Sequence, residues 1–130
     1  MRAIDTNLLV RLIARDDAEQ LAAARRVMEA GPCFIPDTVF LETAWVLRSR
    51  YGASREQIYA ELITVLGLPN TRVADPDRIR DALEWFEEGL DVGDAFHLAA
   101  SQHADAFVTF DREMIARSEG MGRCPVEQLK

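Results

Sequence analysis

"RAIDTNLLVRLIA", residues 2–14, joins two kinds of hydrophobic pattern. Residues 2–5 read as a short strand, and Leu8, Leu9, Leu12 and Ile13 then recur at the spacing of one inward helix face. Asp5 sits at the join. A strand that passes into a helix in this way opens a β–α unit. Taken alone, Asp5 is as well explained as that helix's N-cap as by any chemistry. Yet it is also a carboxylate at the edge of a core.

The alternation continues along the chain. A helix is expected over 18–30, with Leu21, Ala24, Val27 and Met28 at helical spacing and Gly31-Pro32 as its stop. "CFIP" (33–36) reads as a buried strand, followed by a helix over 37–51 capped by Asp37 and closed by Gly52. Ser54 and Gln57 form the pattern of a capping box. "TRVA" (71–74) is a third strand, and Asp75-Pro76 opens a helix lined inwardly by Ile79, Ala82, Leu83 and Phe86. A helix over 94–103, the strand "AFVTF" (106–110), a short helix from Asp111 and a last edge strand in "CPVEQ" complete the pattern. Strands alternating with helices predict an α/β fold around a parallel sheet, with ligands beyond the carboxyl ends of its strands.

The chain has 130 residues, enough for one domain with its own core. No apolar run approaches a membrane span and no leader pattern is visible, so no membrane association and a cytoplasmic protein are expected. Cys33 and Cys124 are too few and too far apart for a zinc site and read as reduced packing thiols. A net charge of −7 opposes general affinity for nucleic acid, so any such contact must be local.

Most acids here cap helices or face solvent; four fit less easily. Asp5 ends the first strand. Glu42 has Val39, Trp45 and Val46 at i−3, i+3 and i+4, an apolar face on which a lone carboxylate is costly without a partner or a cation; a hydrogen-bonded structural Glu is the competing reading. Asp94 begins "DAFHLAA", whose small residues suit close packing, and could serve the helix dipole alone. Asp111 follows a hydrophobic strand and singly reads as a turn former. Together, two acids end strands and two lie on helices that start from the same sheet edge, so a parallel topology is expected to bring all four to one rim. Clustered carboxylates call for a hard cation, and oxygen ligands suit Mg²⁺ or Mn²⁺. Such ions act on phosphodiesters by clamping oxygens and activating water.

"IDTNLLV", "FLETAWVL", "LDVGDAFHLAA" and "VTFDREM", in this order and spacing, resemble the four acidic motifs of PIN domains, specifically those of VapC-type toxins of toxin–antitoxin pairs. The resemblance covers essentially the whole chain. It implies a single PIN-like nuclease domain over 1–130, a three-layer α/β/α fold with a central, mostly parallel sheet of four to five strands. It also implies a metal-dependent endoribonuclease neutralised by a cognate VapB-like antitoxin. By position, Asp5 and Asp94 would be the core Mg²⁺ (or Mn²⁺) ligands, and Glu42 and Asp111 would complete the pocket directly or through water. Thr6 and Thr109 would supply supporting hydroxyls and Asn7 a polar contact. Asp91 would be an accessory acid, and His97 a packed or hydrogen-bonding neighbour rather than a base. RNA would be gripped by arginines among Arg11, Arg15, Arg48, Arg50 and Arg112. Family analogy adds a homodimer, with Trp45, Tyr59 and Ile63 near the contact, and a larger assembly with the antitoxin.

A response-regulator receiver domain fits less well, because its phosphoryl-contacting Lys is missing: the only Lys is Lys130. A haloacid-dehalogenase-type phosphatase needs Asp-x-Asp where this chain has Asp5-Thr6-Asn7. The alternative of another class is a catalytically silent PIN-fold interaction module, and four intact acids speak against it.

Overall fold

Residues 1–130 are all described by a computed structural model. Every strand in it is very short. β1 (Arg2–Ala3), β2 (Cys33–Phe34) and β3 (Thr71–Arg72) form a parallel ladder in the order β1-β2-β3. Its hydrogen bonds reach one residue past these bounds: the Ile4 N–H donates to the Phe34 carbonyl (3.0 Å) and the Ile35 N–H to that of Arg72 (2.9 Å). The expected strands of four residues are thus shortened, because each chain turns into a helix or loop once its apolar residue is seated. Ile4 and Ile35, at 5% and 0% exposure, are those residues.

Contacts divide the chain into two compact units, Met1–Pro76 and Asp77–Lys130. In the first, α1 (Thr6–Ala14) packs against α2 (Ala18–Ala30) and α3 (Asp37–Ser49), and α3 packs against α4 (Arg55–Leu66). The core gathers Leu9, Met28, Phe40, Leu47, Ile58 and Leu62. α2 has the bounds read from the sequence, and the Ser54/Gln57 capping box of α4 forms in both directions. α1 turns its face by one residue from the expectation: Leu9 and Val10 are buried, whereas Leu8, Leu12 and Ile13 are only half-buried. α3 begins one residue earlier than expected. Pro36 is its N-cap, without a side-chain hydrogen bond, and Asp37 is its first residue; the helix stops at Ser49 rather than near Tyr51. α1 ends on Arg15 in a left-handed conformation (φ 57°), a position usually given to glycine.

In the second unit α5 (Pro76–Glu87) buries Ile79, Ala82, Leu83 and Phe86 as read from the sequence, together with Trp85. α6 (Val92–Ala99) follows, then β4 (Phe107–Thr109), α7 (Arg112–Arg117) and β5 (Val126–Gln128). β4 and β5 pair in parallel, so the expected strands appear as five parallel ones in two ladders. α6 starts two residues before the expected Asp94 and ends at Ala99 rather than near residue 103. β4 is hydrophobic but largely at the surface: Val108 within it and Phe110 just past its end are exposed. Gln102 ties this unit together. Its Nε2 donates to the Leu98 carbonyl (3.0 Å), and its Oε1 accepts from the N–H groups of Arg123 (2.6 Å) and Cys124 (3.2 Å). Gly122 (φ 74°) lies against that amide, where a Cβ would collide with it.

The architecture is therefore α/β, helices with parallel strands, as expected. Both cysteines are buried and free, as packing thiols. No helix is long and apolar enough to cross a membrane.

Candidate active site

Asp5 has an extended backbone (φ −99°, ψ 175°), and its Oδ1 accepts from the Leu8 N–H at 3.0 Å. The cap holds the carboxylate at the mouth of α1, leaving Oδ2 outside that bond. Asp5 lines a cleft of about 660 Å³ with Thr6 and Asn7 beside it and Glu42, Trp45 and Arg50 of the α3 region also facing it. Two acids that the sequence placed in one site thus share one cleft.

Glu42 reaches the cleft for a different reason from the one its neighbours suggested. The buried stripe of α3 is Val39, Phe40, Thr43, Ala44 and Leu47. Glu42 lies off that stripe and is exposed, as is Trp45 at 53%. The expectation of a carboxylate buried on an apolar face is therefore corrected. At about 100° per residue, Trp45 follows Glu42 onto the solvent side while Thr43 turns inward.

The second unit presents its acids from α6 and the start of α7. Asp91 caps α6, its Oδ2 accepting from the Asp94 N–H at 3.1 Å. Gly93 lies between them; a Cβ there would stand 3.1 Å from the same Oδ2, so glycine leaves room for the capping carboxylate. Asp94 occupies the first turn and is half-buried. Its carboxyl is held above the usual aspartate value, first by burial, then by the negative charges of Asp91 and Asp111, with His97 opposing. His97 itself is exposed rather than packed.

Asp111 caps α7, its Oδ1 accepting from the N–H groups of Glu113 (2.9 Å) and Met114 (3.3 Å). Its own N–H donates to the Thr109 Oγ1 at 3.0 Å, so Thr109 fixes the turn that carries the acid. Asp91 and Asp111 thus both act on the Asp94 carboxyl, and their negative charge outweighs the His97 contribution there. That donor set suits a hard divalent cation better than any neutral ligand. No group of three or more His, Cys, Asp or Glu side chains is already gathered as a metal cage.

Among the arginines read as candidates for RNA, Arg11 is drawn to Asp16 (3.4 Å), and Arg50 is the one that lines the acid cleft. The sequence reading placed Trp45 at a dimer contact and missed its place beside Asp5. The signal was present: Trp45 stands three residues, one helix turn, after Glu42.

The PIN domain family model matches residues 3–119. A search of curated proteins gives no significant match.

Proposed function

This chain belongs to the PIN domain family, whose members are generally nucleases that use divalent metal ions, and on that premise we propose that it is a Mg²⁺- or Mn²⁺-dependent endoribonuclease. Asp5 and Asp94 are its core metal ligands, and Glu42 and Asp111 complete the set directly or through water. The observation that carries the reading is the cleft that Asp5 and Glu42 share, and the burial of Asp94 with the negative charges of Asp91 and Asp111 acting on it supports the same chemistry. When bound, the ion supplies Lewis-acid stabilisation of the phosphate and a more acidic water.

The chain's own residues do the positioning. Asp5, Asp91 and Asp111 each keep one oxygen on a helix N-terminus, which restricts the rotamers of the carboxylates. Thr109 holds the Asp111 turn, and Thr6 and Asn7 offer polar contacts beside Asp5. The biological role we assign is that of the toxin in a toxin–antitoxin pair. A basic antitoxin segment inhibits it by placing an arginine among the carboxylates, a charge-assisted pairing that displaces the ion. A homodimer, alone or within an assembly with the antitoxin, is part of the same proposal.

The test is cleavage of single-stranded RNA by purified protein in Mg²⁺ or Mn²⁺, with EDTA as the control. Metal-dependent products that disappear in Asp94→Asn support the reading. Metal-independent cleavage, or Asp94→Asn cutting as fast as the parent, overturns it. A protein inert toward RNA in both metals that still binds its partner is the silent interaction module instead.

A further inference from the structure

The chain has two tryptophans in contrasting settings: Trp85 is 8% exposed, and Trp45 is 53% exposed on the cleft that Asp5 and Glu42 line. Glu42 and Trp45 are one turn apart on α3, and Arg50 follows at its C-terminal end. At about 1.5 Å per residue, these three groups mark some 12 Å along one cleft. In order they are an acid of the proposed reaction, a free aromatic face and a cation.

We propose that Trp45 and Arg50 form a nucleotide subsite, Trp45 stacking on an unpaired base next to the cleaved phosphodiester and Arg50 pairing with a neighbouring phosphate. The inference rests on the nuclease reading and adds the residues that hold its substrate: Trp45 for one unpaired base and Arg50 for the phosphate beside it. Three observations favour this occupant over a protein. The cleft is mixed, with Asp5, Glu42 and Arg50 set among Val39, Leu41 and Val46 around Trp45, a lining that suits the apolar face of a base and its charged backbone together. Arg50 is the cation among the cleft's charged side chains, opposite in sign to Asp5 and Glu42 and able to pair with a phosphate in a chain whose net charge is −7. The cleft volume of about 660 Å³ falls within the range of sites that enclose small ligands. Stacking on tryptophan tolerates any base, so the subsite selects unpaired structure more than sequence.

The experiment is a fluorescence titration of the full chain, in EDTA and again in Mg²⁺ on the Asp94→Asn background, with a single-stranded RNA octamer of mixed sequence and a blunt RNA duplex. Trp45 is the accessible fluorophore, so the octamer is expected to quench part of the emission and the duplex to quench little. Trp45→Ala is expected to lose that quench and bind the octamer about tenfold more weakly by anisotropy, with Trp45→Phe recovering most of the affinity. Arg50→Ala should weaken octamer binding while keeping the quench at saturation, and should flatten its salt dependence. Unchanged octamer affinity in Trp45→Ala and Arg50→Ala overturns the proposal, even if the parent protein cleaves RNA. Octamer affinity lost in these variants, in a protein that never cleaves, keeps the subsite and removes the nuclease reading. Conversion of a dimer to a monomer by Trp45→Ala, with octamer affinity intact, identifies the face as a self-association surface and also overturns it.

Discussion

Asp5 is assigned two jobs, and substitutions can separate them. The cap needs only an oxygen that accepts from the Leu8 N–H, which asparagine supplies as well as aspartate; metal ligation needs the charge. Asp5→Asn is therefore expected to keep the fold and lose the reaction, whereas Asp5→Ala should lose both cap and reaction. Removing an N-cap costs about 1 kcal/mol. For 130 residues at roughly 2.1 cal/mol/K each, the unfolding entropy is about 0.27 kcal/mol/K, so the alanine variant should melt about 4 °C lower. The asparagine variant should stay within about 2 °C of the parent, because the cap survives and only part of the charge–dipole attraction is lost.

Cleavage should separate from melting. A ligand of a catalytic ion supports several kcal/mol of transition-state stabilisation, so both variants should cleave at least about 100-fold more slowly. Melting by circular dichroism and initial rates on a dye-labelled RNA, in Mg²⁺ with EDTA controls, measure the two effects on the same preparations. Parent-like cleavage by Asp5→Asn would refute the argument and leave Asp5 as a cap alone. Activity lost in Asp5→Ala but retained in Asp5→Asn would show that the helix start, not the charge, is what the reaction needs.

Other substitutions probe the remaining features. Because burial and neighbouring carboxylates raise the Asp94 carboxyl, the folded state holds that proton more tightly than the unfolded chain; the resulting stability is full below about 3.8 and is lost as pH rises through the folded value. Metal-free Asp94→Asn should thus be as stable as the parent or more so at neutral pH, with any advantage fading toward pH 4 in denaturant melts; a large loss at pH 7 would instead make Asp94 a structural residue. Thr43 is fully buried with its Oγ1 unpartnered, so Thr43→Val should raise stability by about 1 kcal/mol in urea unfolding. Gln102→Ala removes the acceptor shared by the Arg123 and Cys124 N–H groups and should cost about 2 kcal/mol, measured the same way. Arg15→Gly should relieve the left-handed residue at the end of α1 and raise the melting temperature by a few degrees, about 1 kcal/mol.

What could be read from the sequence was mostly local. The bounds of α2, the capping box at Ser54 and Gln57, and the start of a short helix at Asp111 depend on residues within one turn of each other, so short windows contain the whole signal. The strands were overestimated because their length is set by pairing with distant segments: β1 stops once Ile4 has met Phe34. α6 was placed late for a reason that was itself legible. Asp91 and Asp94 are spaced as cap and first-turn acid, which marks Val92 as the first residue of the helix. Glu42 is the instructive error. Apolar residues at i−3, i+3 and i+4 gave it a hydrophobic face, but α3 offers a second stripe through Phe40, Thr43 and Leu47, and that one meets the core.

The Glu42 correction alters the case for a site as well as the fold. A buried acid would have demanded a cation by the cost of desolvation alone; an exposed one does not. The acid on which burial and negative neighbours do act is Asp94, half-buried, with two carboxylates raising it. Nor does capping compete with chemistry at Asp5, Asp91 and Asp111. Each gives one oxygen to a helix N-terminus, and a carboxylate has two. The cap fixes the side chain's direction and the helix end lowers the cost of holding a negative charge there, both of which favour a ligand over a freely rotating surface acid. Glu42 has no such anchor, so its carboxylate is free to approach a bound ion directly or through water. On this reasoning Glu42→Gln should weaken Mg²⁺ binding less than Asp94→Asn does, a comparison that calorimetric titration of the two variants makes directly; the reverse order would move the centre of the site from α6 to the α3 cleft.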